Sequence, residues 1–229
     1  MTALQSEYRI ANAGFELHGS VFREDEIQAV LDHLVNLKFH QRRAGIRHLM
    51  SDATVREIAN DNRLTELARS ATGAAVFPFR ATLFDKSVAA NWLVVWHQDT
   101  ALPLRERTED RQWGPWSVKD GIAYAHAPAW ALEQVIALRL HLDDSDPENG
   151  PLRVLPGTHL SGVLSDDAIE KIAASTIPVE CTVEKGGVVV MRPLAVHASS
   201  KVVSLKPRRV LHIEYAARRL EQEVRLAIA

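Results

Sequence analysis

Trp92-Leu93-Val94-Val95-Trp96-His97-Gln98-Asp99-Thr100 is an apolar, strand-like run that ends in an imidazole and a carboxylate two residues apart. Side chains alternate faces along an extended chain, so His97 and Asp99 point the same way at the mouth of that strand. Together they make two-thirds of the two-histidine, one-carboxylate donor set that suits non-haem Fe(II). A His-x-Asp triplet arises by chance in many chains, so its weight depends on what the rest of the sequence supplies.

Outward from this run, the chain divides in two. On the N-terminal side, Arg23-Glu24-Asp25-Glu26 opens a helix whose apolar residues Ile27, Val30, Leu31, Leu34 and Leu37 follow a 3.6-residue period. A second helix is expected over 52–73, with Asp52 as its N-cap and Gly73 at its end. From Ala74 onward, strand-like runs appear at 76–83, 91–96, 135–142, 176–183, 187–192 and 208–215, separated by Pro, Gly and Asp-Asn turn signals. A short helix is expected at 165–174, and 102–128 reads as a long irregular loop. The pattern predicts a mainly β fold, a sandwich or jelly roll, with α-helices packed outside. One domain would span 1–229, with helices over about 23–73 and a β core over about 74–217.

Composition bounds the rest. The 229 residues are 46% hydrophobic and 24% charged, enough for one domain with a sizeable core. A net charge of −2 with interspersed signs argues against a nucleic-acid or membrane-surface partner. No apolar run suits a membrane span and no secretory signal is seen, so a cytoplasmic location is expected. The lone Cys181 precludes an internal disulfide and reads as a core residue. The amphipathic run 218–229 can pack on the barrel or on a partner, which leaves monomer and homodimer open.

A third donor should come from a late strand. Gly187-Val-Val-Val-Met-Arg-Pro193-Leu-Ala-Val-His197 supplies a buried strand, a ladder-breaking proline and then a histidine. A core histidine bonded to a carbonyl is the bland alternative. Eleven residues later, Arg208 begins another strand, and a buried guanidinium there needs an anionic partner. Strand alternation puts Arg208 and Arg209 on opposite faces, so one should point inward and the other outward.

Taken in order, His97-Gln98-Asp99, Asn149-Gly150-Pro151 with Pro156-Gly157-Thr158-His159, His197 and Pro207-Arg208 resemble the phytanoyl-CoA dioxygenase family over roughly 15–215. The resemblance implies a double-stranded β-helix of the jelly-roll, cupin-like type, with Fe(II) and 2-oxoglutarate as cofactor and cosubstrate. It implies that His97, Asp99 and His197 hold iron and act in catalysis, and that Arg208 grips the distal carboxylate of 2-oxoglutarate. Ser199 matches a position where the family often has a cosubstrate-contacting serine.

Arg139 is a further cosubstrate candidate on a barrel strand, with Leu138 the competing inward residue. Asn91 is another, six residues before His97 and on its face if the strand is unbroken; a turn residue at the strand start is its alternative. Lys86 is expected in solvent, with contact to the cosubstrate as the minor alternative. Trp92 and Trp96 are expected in the core or under a helix. Trp113 and Trp116 could form a lid or anchor their loop. Asn149-Gly150 and Pro156-Gly157 read as architectural turns.

The implied reaction is hydroxylation of a small molecule by dioxygen, with release of succinate and carbon dioxide. The intact Asp99 argues for hydroxylation or desaturation and against a halogenase, in which that carboxylate is missing. A cupin-like binding protein without oxygenase turnover is the alternative, and it leaves Arg208 unexplained.

Overall fold

The computed structural model describes residues 8–36, 45–86 and 91–229. Helix α1 (Glu24–Asn36) starts with three acidic residues, which suit the positive end of the helix dipole. It buries Ile27, Val30, Leu31 and Leu34 as the period predicts; Leu37 lies outside the described residues. The expected helix 52–73 is instead two helices, α2 (Ala53–Ala59) and α3 (Asn62–Thr72). Asp52 caps the first by accepting from Val55 N–H (2.9 Å), and Asp61 caps the second by accepting from Arg63 N–H (2.8 Å). The break falls at Asn60-Asp61, whose short polar side chains bind backbone groups and so favour an end and a restart over helix continuation. Gly73 closes α3 in the left-handed region (φ 65°).

These helices cover the outer face of a five-stranded sheet in the order β1 (Phe15–His18), β10 (Val188–Met191), β7 (Val135–His141), β12 (Arg208–Ala217), β2 (Val76–Lys86). The neighbouring pairs are all antiparallel. Leu138, Leu140, Val188, Val190, Leu211 and Ile213 meet Ile27, Leu31, Val55 and Leu64 in one cluster. Each fully buried aliphatic side chain of this kind stabilises the fold by about 1.5–3 kcal/mol. Tyr215 joins them and donates its hydroxyl to Ala59 O (2.8 Å), tying the sheet to the end of α2.

The opposite face of this sheet packs on a four-stranded sheet, β3 (Val94–His97), β11 (His197–Ser199), β8 (Leu152–Val154) and β9 (Val179–Cys181). Phe15, Ala137, Val189 and Met191 from the first sheet meet Leu152, Val154 and Cys181 from the second, filling one end of the jelly roll. Burial pushes the Cys181 thiol up to about 12, so it stays a protonated core residue. The expected strand 176–183 shrinks to β9 plus an isolated bridge between Ser145 and Val183, and β3 begins only at Val94. Helix α4 (Asp166–Ser175) is capped by Ser165, and Trp96 packs among Leu155, Val196 and its Ile169.

The segment expected as an irregular loop over 102–128 carries a third sheet, β4 (Ala101–Leu104), β6 (Ile122–His126) and β5 (Trp116–Lys119). Pro103 sits on β4, an edge strand whose outer side meets the chain only at the Leu104–Leu226 bridge, where Pro103 supplies its carbonyl and needs no N–H. Trp113 is buried edge-on against Trp130 (centroids 6.1 Å apart) and packs with Leu102, Leu104, Leu220 and Leu226. It anchors this sheet and is no lid; Trp116 lies at the margin of the same cluster. The 218–229 run packs on the barrel: Ala229 pairs through its backbone with Phe79 and Ala81 of β2, and Leu226 bridges Leu104. No helix among the described residues is long and apolar enough to cross a membrane.

Candidate metal centre

Strands β3 and β11 are neighbours, and their register sets His97 directly across from His197. Alternation along the chain is visible at Gln98, which points away. Its Nε2 donates to Gly162 O and Leu194 O, and its Oε1 accepts from Leu164 N–H. Asp99 is held by its own N–H, which donates to Pro193 O (2.9 Å). The two imidazole centroids are 4.2 Å apart. The Asp99 carboxylate lies 3.8 Å from His97 Nε2 and 3.5 Å from His197 Nε2. All three donor atoms fall within 4.8 Å of one another, and no other such group of three occurs among the described residues.

The backbone fixes which ring nitrogens face inward. His97 Nδ1 is 2.8 Å from Val95 O, and His197 Nδ1 is 2.9 Å from Ala195 O. A carbonyl only accepts, so each Nδ1 carries the proton and each Nε2 presents a lone pair toward Asp99. Burial opposes ionisation of Asp99, but His197, His97, His212 and Arg80 outweigh it and hold the carboxyl well below the usual range. Burial, partly offset by Asp99, pushes His197 down to about 4. At neutral pH the carboxylate and the His197 imidazole are thus in their metal-binding protonation states.

A cavity beside the triad is lined by Phe84, Lys86, Trp92, Arg139, Ser199 and Arg208. Arg208 is 3% exposed. Its Nε donates to Asn149 O and its Nη2 to Ser199 Oγ (both 3.2 Å), while Nη1 is buried with no partner. Arg139 shares the inner face: its Nη1 is 3.3 Å from His212 Nδ1, and its Nε is likewise buried and unpartnered. Lys86, only 1% exposed, donates to Ser199 Oγ (2.7 Å) and Ser200 O (2.5 Å). None of these three cations forms a salt bridge with a described carboxylate. Burial, with Arg139 close by, pushes Arg208 down to about 9. Burial, with Arg208 and Arg139 close by, pushes Lys86 down to about 7. Buried charge without a counter-ion is costly, so the arrangement is built to receive an anion.

A family model for phytanoyl-CoA dioxygenase (PhyH) matches residues 12–210, most of the chain. The chain belongs to the phytanoyl-CoA dioxygenase family. Proteins of this family are oxygenases that depend on Fe(II) and 2-oxoglutarate. Among solved structures, the fold is similar to that of AviO1 from Streptomyces viridochromogenes Tue57, with TM-score 0.68 and 24% identity over 95% of this chain and 97% of that one. EctD from S. alaskensis, crystallised with bound Fe, gives TM-score 0.69 and 20% identity over 95% and 77% of the two chains. HygX from Streptomyces hygroscopicus, crystallised with nickel and 2-oxoglutarate, gives 0.68 and 18% over 95% and 88%. No curated protein matches the sequence significantly.

Within this phytanoyl-CoA dioxygenase family fold, the remaining sequence candidates fall in different places. Ser199, Arg139 and Arg208 converge on the cavity. Arg209 points the other way into a two-point pair with Asp143 (2.8 and 2.7 Å). Asn91 does not join the cosubstrate candidates. β3 starts after it, and its amide is spent on both backbone groups of Val202 (each 2.8 Å). Trp92 corrects the expectation of a core position: it lines the cavity, with Lys86 Nζ 5.5 Å from its ring.

Lys86 was expected in solvent, and no local signal marks it as buried. Its even spacing along β2 from Thr82 and Phe84 is the sequence trace, legible only once β2 is paired with β12. A second cavity that also reaches Asp99 is lined by Arg47, Arg80, Phe84, Lys119, Tyr124 and His212. Phe84 and Asp99 border both cavities.

Proposed function

We propose that this chain is an Fe(II)- and 2-oxoglutarate-dependent dioxygenase that hydroxylates a small molecule and releases succinate and carbon dioxide. His97, Asp99 and His197 would hold the iron, and Arg208 with Lys86 and Ser199 the distal carboxylate of 2-oxoglutarate. The observation that carries the reading is the buried, unpartnered Nη1 of Arg208, on a guanidinium that lines one cavity with the triad and has no carboxylate of the protein to pair with. A guanidinium fork with a free arm fits a carboxylate, and two imidazoles with one carboxylate fit iron.

Iron and 2-oxoglutarate supply oxygen activation when bound. The chain's own residues supply the geometry. The Val95 and Ala195 carbonyls orient the two imidazoles, and the backbone bond from Asp99 to Pro193 holds the carboxylate between them. Lys86 and Arg208 would hold one end of the dicarboxylate, with Trp92 and Phe84 in the wall of the same cavity. Asp99 would take the ligand position that a halide needs, which favours hydroxylation or desaturation over halogenation.

Anaerobic addition of Fe(II) and 2-oxoglutarate should give a weak visible charge-transfer band, and succinate should form in air. A band with no succinate under any condition would favour the cupin-like binding protein instead. Asp99→Ala should lose both.

A further inference from the structure

We infer that the second cavity binds the primary substrate through an anionic group, a carboxylate or phosphate held by Arg47 and Lys119, with an apolar body against Phe84 and Tyr124. The inference rests on the proposed oxygenase reading for what is oxidised there, but the cation pair itself does not depend on it.

The cavity reaches Asp99 and shares only Asp99 and Phe84 with the first, so its occupant would approach the triad without using Lys86, Ser199 or Arg208. Its polar wall is cationic. Arg80 is committed: it is ion-paired with Glu214, and its Nη1 donates to Ala101 O (3.0 Å). Arg47 and Lys119 are not. Neither makes an ion pair with a described carboxylate, and Lys119 only stacks over the Tyr124 ring at 4.7 Å. The nearby carboxylates have other neighbours. Asp99 belongs to the triad, Glu214 faces Arg80, and Asp120 Oδ2 lies 4.0 Å from His48 Nδ1. Burial and the charges of Arg80 and Arg47 pull the Lys119 pKa down and Asp99 raises it, so Lys119 and Arg47 lie close enough to sense one another's charge.

Both groups are carried by ordered backbone. Ile46, next to Arg47, exchanges two backbone hydrogen bonds with Leu83 of β2 (2.8 and 2.9 Å). Lys119 ends β5 at the Asp120-Gly121 turn, and its cross-strand partner is Ile122. Tyr124, in the same cavity wall, is fixed through its hydroxyl, 3.0 Å from His48 Nε2. Two cations on fixed backbone that share a cavity with Phe84 and Tyr124 are suited to a charged head on an apolar body.

The test is calorimetric titration of benzoate, phenyl phosphate and neutral benzyl alcohol into protein loaded anaerobically with Fe(II) and saturating 2-oxoglutarate. At least one anion should bind. Its affinity should fall about tenfold or more for each charge removed in Arg47→Gln and Lys119→Gln, and persist in the charge-keeping Arg47→Lys. Whichever anion binds more tightly identifies the head group as carboxylate or phosphate. Benzyl alcohol binding as tightly as the anions, no anion binding at all, or anion binding indifferent to both Gln variants would overturn the inference. Titrating 2-oxoglutarate itself into the same variants separates the two claims. Its failure to bind wild type would remove the oxygenase reading, while a loss of probe binding confined to the Arg47 and Lys119 variants would still establish the anion site.

Discussion

Lys86 and Arg208 stand directly opposite one another on β2 and β12, and both donate to the same Ser199 hydroxyl, at 2.7 and 3.2 Å. That hydroxyl in turn donates to Gly150 O (3.0 Å). Its one proton and two lone pairs are therefore all used; with Lys86 also on Ser200 O and Arg208 Nε on Asn149 O, Arg208 Nη1 and one Lys86 donor are left for a ligand.

Replacing Arg208 by lysine keeps the charge but removes the fork. Binding of 2-oxoglutarate, measured by anaerobic calorimetry on metal-loaded protein, should weaken by about 1.5–3 kcal/mol, roughly 10- to 150-fold. Unchanged affinity would mean that Arg208 does not grip the cosubstrate.

Lys86 predicts a pH dependence. Its folded-state pKa is depressed to about 7, so in the free protein it loses its charge as pH rises through neutrality. A bound dianion favours the ammonium, so binding takes up a proton above pH 7. The affinity for 2-oxoglutarate should therefore fall with rising pH, by at most about tenfold per unit. Lys86→Met should bind more weakly at pH 6.5 and lose this slope. The same depression means the unfolded chain holds a proton that the folded chain lacks between about pH 7 and the ordinary lysine range. The contribution of Lys86 to folding thus becomes more favourable as pH rises through that window.

Asp99→Ala removes a donor outright. Metal affinity, read by titration of Fe(II) against a chelator, should drop beyond the roughly 10- to 100-fold that loss of an outer hydrogen-bond partner costs. Folding should be largely kept, since Asp99 is partly exposed and lies outside the apolar clusters. Retained 2-oxoglutarate turnover in this variant would sink the ligand assignment.

Much of this site was legible locally, because spacing of two in an extended chain is a rule of backbone geometry. His97 and Asp99 share a face and Gln98 leaves it; Arg208 turns inward and Arg209 outward. What escaped depends on partners far away in sequence. Lys86 looks like any surface lysine until β12 covers it. Asn91 has the right spacing but precedes the strand that would have aimed it. The β4–β6–β5 sheet hides behind Pro103, Pro115 and a charged connection, which together blur the alternation of short strands. The break between α2 and α3 was present as Asn60-Asp61, a restart signal overlooked inside a continuous apolar period.

Gly150 turns an architectural residue into a functional prediction. Its φ is +68°, and a Cβ there would stand 2.5 Å from Ser200 O, the carbonyl that also holds Lys86. Gly150→Ala should cost about 1–3 kcal/mol in thermal or denaturant unfolding and weaken 2-oxoglutarate binding as well. Gly73→Ala is the control. It has the same sign of φ but open space around its Cβ, so stability should fall and cosubstrate affinity should not. Equal cosubstrate affinity in both variants would separate the 149–150 turn from the site.

The donors of the triad sit on or just beyond paired strands of one sheet, and the three cations of the first cavity sit on strands β2, β7 and β12 of the other. Arg47 and Lys119 do not: one lies on a segment joined to β2 by a single bridge, the other at the tip of an appended hairpin. The proposed recognition surface thus hangs on a single bridge and a hairpin tip, while the proposed oxidising machinery hangs on continuous ladders. Exchanging the β5–β6 tip for one of different charge is therefore the change expected to alter selectivity while the ladders that carry the donors are kept.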